Sequence, residues 1–127
     1  MNTAVLDIPE ATITALQRKQ HILVITEAKT EGALQLLTEI EILAREAGLD
    51  HEITRSRGRQ RLRVRECGGS VDILTRRQVT QYGALRGLSA DLVLYGDDEL
   101  LPEILPVLLV RRGLAVNYLD GSTVHPS

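Results

Sequence analysis

The chain has 127 residues, of which 43% are hydrophobic and 25% are charged, a balance typical of a globular domain with a buried core. It has three tyrosines but neither phenylalanine nor tryptophan, which argues against a surface that stacks nucleic-acid bases on aromatic rings. Its one cysteine, Cys67, excludes an internal disulfide, and no spacing of cysteine and histidine resembles a zinc site.

Membrane segments and targeting signals are not predicted. No uninterrupted apolar run approaches the roughly 20 residues that span a bilayer. The N-terminus lacks the charged and apolar regions of a signal peptide. We therefore expect a cytoplasmic protein without a membrane partner.

Strands and helices are predicted to alternate along the chain. In order they are a helix at Pro9–Gln20, a strand at His21–Thr26, a helix within 27–48, a strand at Leu49–Arg55, a strand at Gln60–Glu66, a strand at Val71–Thr75, a helix or ordered loop at Gln78–Leu88, a strand at Asp91–Tyr95, a helix at Leu100–Arg111 and a strand at Leu114–Leu119. Gly48 supplies a stop for the helix within 27–48. The order predicts one α/β domain, a three-layer sandwich with a mainly parallel sheet, comprising a helical segment at 1–20, a core at 21–119 and a polar tail at 120–127.

The most unusual stretch has arginine at every second position from Arg55 to Arg65. On one extended strand these six side chains would share a face. Gly58 predicts a turn or bulge that divides the run. Within Gln60–Glu66 the arginines alternate with leucine and valine, and the turn at 68–70 leads into Val71–Thr75. This pattern predicts an inserted, arginine-rich β-hairpin with one cationic face.

Charge is distributed unevenly along the sequence. Nine arginines, no lysine and two acids lie between positions 55 and 86, whereas the remainder is acidic. Arginine binds phosphates and carboxylates through a forked geometry that lysine lacks. Three interpretations stay open: binding of DNA, binding of an acidic protein or a second copy of the chain, and a solvated surface without a partner. The candidate nucleic-acid-binding residues are Arg55, Arg57, Arg59, Arg61, Arg63, Arg65, Arg76 and Arg77.

The segment after the hairpin reads Arg86-Gly87-Leu88-Ser89-Ala90-Asp91, followed by the apolar run Leu92-Val93-Leu94-Tyr95 and then acids. Together with the Gly-Gly-Ser turn, this resembles the middle of the ATPase domain of phage terminase large subunits, the motors that package DNA. The resemblance covers His21 to Glu99. It implies a truncated version of the P-loop NTPase fold and a protein of phage or prophage origin, in the cytoplasm of a bacterial host.

An essential part of that family's active site is missing from the sequence. A phosphate-binding loop requires G-x-x-x-x-G-K-[ST], whose glycines let backbone amides surround the phosphates. The nearest approach is Lys29-Thr30, where Leu23 and Ala28 occupy the glycine positions. The resemblance implies a vestigial nucleotide or metal site at Lys29, Arg86, Asp97, Asp98 and Glu99. The alternative is that the three acids begin a helix, where its dipole favours them.

The sequence therefore predicts a non-catalytic binding module without a resident metal or cofactor, which contacts DNA through the arginine-rich hairpin. One alternative is a module that binds a phage or host protein or assembles with itself. A second alternative is a degenerate ATPase that another chain completes.

Overall fold

A computed structural model describes residues 5–27, 29–56, 59–66 and 68–126 of the chain. Within these ranges, seven strands form one mixed sheet and four α-helices pack against it. The helices are α1 (Ile8–Gln17), α2 (Thr30–Glu46), α3 (Arg76–Tyr82) and α4 (Leu101–Leu109). The strands are β1 (His21–Thr26), β2 (His51–Ser56), β3 (Arg59–Val64), β4 (Ser70–Thr75), β5 (Leu92–Tyr95), β6 (Leu114–Asn117) and β7 (Thr123–Val124).

The strand order across the sheet is β2-β3-β4-β1-β5-β6-β7. The four strands β4, β1, β5 and β6 are parallel, and β2, β3 and β7 extend the sheet in antiparallel fashion at its two ends. Strand β1 lies at the centre with four consecutive buried residues, as expected of a strand covered on both faces. The predicted α/β class and the hairpin β3–β4 are confirmed.

Helices cover both faces of the sheet and produce two separate apolar cores. Leu37 and Ile40 of α2 pack with α1 against one face, together with Leu62 of β3. On the other face, Val79 of α3 and Ile104 of α4 pack against β1, β5 and β6. Among the described residues, this second core contains no residue of β2 or β3. The face of β3 that points away from α2 therefore lies beside the layer formed by α3 and α4 and is not covered by these helices.

Most element boundaries differ from the prediction by a few residues, and two of the differences have identifiable reasons. Helix α3 begins at Arg76, two residues early, because Thr75 and Gln78 form a reciprocal capping box, and it ends before Gly83, which has a φ of 58°. The expected polar tail instead contributes β7, whose Val124 pairs with Ala115 of β6. Helix α4 starts near Pro102 as predicted and runs through Pro106. No helix in the described ranges has the length and apolar character needed to cross a membrane.

Candidate functional site

The arginines of β3 occupy the face of the sheet that α2 does not cover. Leu62 and Val64 are buried against the α1–α2 side, whereas Arg59 and Arg63 are exposed and Arg61 is half-buried. The two-residue alternation of a strand explains this segregation. It confirms the cationic face that the sequence predicts for the hairpin.

Arg55 does not belong to that face. It lies on β2 opposite the buried Gln60 of β3, and its guanidinium approaches the carboxylate of Glu41 on α2 to 3.2 Å. Burial raises the pKa of Glu41, but hydrogen bonds with His51 and Arg55 outweigh this, so its pKa is lowered. The run of arginines is thus divided between the two faces of the sheet. Arg57 and Gly58 lie outside the described residues.

Arg63 and Arg65 are bound by acids from β2 and the segment before it. Arg63 lies 3.3 Å from Glu52, and Arg65 lies 3.2 Å from Glu52 and 2.9 Å from Asp50. The hydrogen bond from Arg65 is the main cause that lowers the pKa of Glu52. These pairs are exposed, so they contribute little to stability. A ligand that bound Arg63 or Arg65 would have to displace these carboxylates.

A groove with a volume of about 610 Å³ lies at the carboxyl ends of β1 and β4, and a second one of about 530 Å³ lies on the open face of the hairpin. The second groove runs between β3, β4 and β1 on one side and the segment that joins α3 to β5 on the other. Its polar lining side chains are those of His21, Arg59, Arg61, Ser70, Asp72, Ser89 and Arg111. We call it the hairpin groove.

Arg61 and Asp72 are neighbours in the lining of the hairpin groove. They face each other across the β3–β4 pair, with 3.9 Å between Arg61 Nε and Asp72 Oδ2. That distance is too long for a hydrogen bond, and the buried Nε has no hydrogen-bond partner in the described part of the chain. Burial raises the pKa of Asp72, and the nearby positive charges of Arg61, Arg59 and His21 offset only part of that effect.

On the side of the hairpin groove opposite β3, contacts with Ser89 and Asp91 fix the position of Arg111. Arg111 Nε donates to Ser89 Oγ at 3.1 Å, and Arg111 also lies 3.7 Å from Asp91. Asp91 in turn accepts the backbone N–H of His21 at 2.7 Å. These bonds tie the end of α4 to the amino ends of β1 and β5, so Arg111 is positioned by the central sheet.

Guanidinium groups determine what the hairpin groove can bind. Arg59, Arg61 and Arg111 line it together with one carboxylate, that of Asp72. No phenylalanine, tyrosine or tryptophan is among its described lining residues. The groove therefore offers forked N–H donors suited to phosphate oxygens and lacks the rings that stack bases.

The vestigial nucleotide or metal site of the sequence prediction falls at the carboxyl edge of the sheet. There the guanidinium of Arg76 bonds to Asp97, lies 3.2 Å from Glu99 and lies 3.5 Å from Glu27. The hydrogen bond from Arg76 is the main cause that lowers the pKa of Asp97. No three His, Cys, Asp or Glu side chains within the described ranges are grouped to hold a metal ion. Arg76 thus occupies the centre of three carboxylates and offsets one of their three negative charges.

The remaining predicted residues lie apart from one another. Lys29 precedes α2 and, together with Arg77, lines the groove at the carboxyl ends of β1 and β4. The Nε of Arg77 donates to Gln81 at 3.0 Å. Asp98 accepts a hydrogen bond from Asn117 at 3.2 Å. Arg86 lines a different groove, beside α4. The structure therefore brings Arg59 and Arg61 together but separates them from Arg76 and Arg77.

Sequence reasoning missed five polar residues of the hairpin groove, among them Asp72, His21 and Arg111. Asp72 had a usable signal, because the turn at 68–70 fixes the hairpin register that places it opposite Arg61. His21 and Arg111 had none, because they reach the groove only through the order of strands. Comparisons of the chain with protein-family models, with curated proteins and with solved structures each found no match.

Proposed function

We propose that this chain is a non-catalytic module that binds DNA through phosphate contacts in the hairpin groove. The observation that carries the proposal is that Arg59, Arg61 and Arg111 line one open groove with a single carboxylate, that of Asp72, and that Arg61 Nε lacks a hydrogen-bond partner among the described residues. An unsatisfied, charged donor in such a place favours an anionic ligand.

Only some of the predicted arginines are proposed to contact phosphates. Arg55, Arg63 and Arg65 bind Glu41, Glu52 and Asp50, so phosphate contacts there would have to displace bound carboxylates. Arg59, Arg61 and Arg111 carry the proposal instead, because the carboxylate contacts of Arg61 and Arg111 are longer, at 3.9 Å and 3.7 Å. The scarcity of aromatic residues favours contacts to the backbone of a duplex and therefore little dependence on base sequence.

The relation to phage terminases stays part of the proposal. It is supported by the segment from Arg86 to Tyr95 and by the acids that follow β5, next to the carboxyl end of β1. On this proposal the fold is a P-loop NTPase core without its phosphate-binding loop, in the cytoplasm of a bacterial host. The alternative of a degenerate ATPase has less support, because Arg76 already binds Asp97 and Glu99.

Salt-dependent binding of a fluorescent DNA duplex tests the proposed function. Each phosphate contact contributes about −0.9 to the slope of log K against log[salt]. The triple variant Arg59→Gln/Arg61→Gln/Arg111→Gln is expected to flatten that slope by about 2 to 3. The matched control, Arg55→Gln/Arg63→Gln/Arg65→Gln, removes the same charge and is expected to change the slope much less.

Two results would overturn the proposal. Absence of binding by the wild type at low salt would exclude a DNA-binding function. Equal losses in the two triple variants would show that net charge, rather than the hairpin groove, determines the affinity.

A second candidate function, a protein-interaction module, is favoured by exposed apolar residues on α4. Leu109 and Val110 retain 59% and 83% of their accessible surface. This surface adjoins the hairpin groove, because Gly87, Leu88 and Ser89 line both the hairpin groove and the groove beside α4.

A further inference from the structure

The outer surface of α4 is more apolar than a helix facing water normally is. Its exposed residues include Leu105, Leu109, Val110 and two prolines, with Glu103 as the acid among them. A groove of about 400 Å³ runs between this helix and residues 85–89, where Leu88 is also 41% exposed. We call these residues the α4 surface. Contiguous apolar patches of this kind mark interaction sites.

Positive charge borders the α4 surface. Arg86 lines its groove, and Arg112 follows the end of α4 and is exposed. Arginine is among the residues that concentrate at interfaces, because its stem packs on apolar groups while its guanidinium pairs with acids. The surface is therefore suited to a partner with an apolar centre and acidic flanks.

The outer face of α2 has that character. Ile42 is 49% exposed, and Glu39 and Glu46 lie three residues before and four residues after it, so all three occupy one ridge of the helix. Both glutamates are exposed. By contrast, Glu41 faces the sheet side of α2, where it binds His51 and Arg55.

We infer that the chain assembles with itself head to tail, the α2 ridge of one copy docking in the groove of the α4 surface of the next. Ile42 packs against Leu88 and Val110 of the neighbour, and its flanking glutamates pair with Arg86 and Arg112. Helices α2 and α4 cover opposite faces of the sheet. The contact is thus heterologous, and successive copies continue it into a closed ring or an open filament.

Sedimentation velocity over a range of protein concentrations tests this assembly. The wild type is expected to form species larger than one chain as concentration rises, and added salt is expected to weaken them because glutamate–arginine pairs are screened. Ile42→Lys disables the α2 ridge, and Val110→Asp disables the α4 surface. Both positions are exposed, so each variant should keep its fold, which circular dichroism checks.

Mixing the two variants gives the most specific readout. Each variant by itself should stay a single chain, whereas an equimolar mixture should form a dimer and stop there, because only one intact pair of surfaces remains. A wild type that stays monomeric at every concentration overturns the inference. So does assembly that persists in either variant, and so does a mixture that stays monomeric, since the contact would then lie elsewhere or be isologous.

Discussion

Arg61 and Asp72 face each other across two antiparallel strands, yet 3.9 Å separates the guanidinium Nε from the nearest carboxylate oxygen. The pair places opposite charges together without forming a hydrogen bond at Nε. Because Nε itself is buried, a phosphate in the hairpin groove would contact the part of the Arg61 side chain that remains exposed. Asp72 is the charge that opposes such a ligand.

Asp72→Asn is expected to tighten DNA binding about 1.5-fold to fivefold at low salt, the range that corresponds to one charge–charge interaction near the protein surface. Stronger binding would follow because the variant loses the carboxylate that competes for Arg61. Fluorescence anisotropy with a short duplex measures it. Glu103→Gln, which removes the same charge from the surface of α4, serves as the control and should have little effect. Weaker binding by Asp72→Asn would show that the carboxylate positions Arg61 for its ligand.

The same carboxylate predicts a pH dependence. Burial raises the pKa of Asp72 above its ordinary value of 3.8, so protonation begins at a higher pH than for a free aspartate. DNA affinity should therefore increase as the pH falls through that raised pKa, because the groove loses its negative charge. Asp72→Asn should lack this component, which separates it from the titration of any other group. Identical pH profiles for the two proteins would exclude Asp72 as the titrating group.

Arg76→Gln is expected to lower the thermal midpoint of unfolding, because Glu27, Asp97 and Glu99 would lose the guanidinium that contacts all three. Added salt should reduce the loss by screening the carboxylates. Calorimetry at several salt concentrations checks this. Arg77→Gln is the neighbouring control, since Arg77 bonds to the neutral Gln81. A loss that is independent of salt would contradict the electrostatic explanation.

Acid should abolish the difference between the wild type and Arg76→Gln. Arg76 lowers the pKa of Asp97 below 3.8, so the stabilisation from this pair is present above that pH and is lost as the pH falls through the lowered value. The gap between the two thermal midpoints should stay constant near neutrality and close in this acidic range. If the difference between the two thermal midpoints widened on acidification, the Arg76–Asp97 pair could not be the source of the stabilisation.

Gly96→Ala should destabilise the fold by about 1 to 3 kcal/mol, the usual range for overpacking a buried site. The added Cβ would lie 2.8 Å from the hydroxyl of Tyr118, which donates to the carbonyl of Ile25 at 3.0 Å. Burial raises the pKa of Tyr118 to about 12, and a displaced ring should titrate at a lower value. Chemical denaturation and an ultraviolet titration, both performed in a Tyr82→Phe background, measure the two effects. Unchanged stability and titration would mean that the ring accommodates the methyl group.

The sequence prediction was accurate for elements that depend on residues close together in the sequence. Helix α2 and strand β1 were predicted because their signals are local: helical spacing of apolar residues in one and a continuous apolar run in the other. The early start of α3 was also readable, since Thr75 and Gln78 have the spacing of a capping box. Local pattern thus determined most of the elements.

The candidate site was predicted less well because it depends on contacts between distant segments. Alternation predicted the exposed face of β3 but could not reveal that Glu41, on α2, would bind Arg55. Nor could it reveal that Arg111, at the end of α4, would join Arg61 in one groove. These contacts require the strand order and the packing of helices on both faces, which no local pattern specifies.

The N–H signal of Arg61 Nε in an NMR spectrum of the ¹⁵N-labelled protein, assigned with Arg61→Lys, tests the central claim most directly. Arg65 Nε, which donates to Glu52 at 3.2 Å, provides an internal comparison on the same hairpin. On titration with a DNA duplex, the signal of Arg61 should shift and that of Arg65 should stay in place. An unchanged Arg61 signal in a sample that binds DNA would contradict the proposal that the hairpin groove is the binding site.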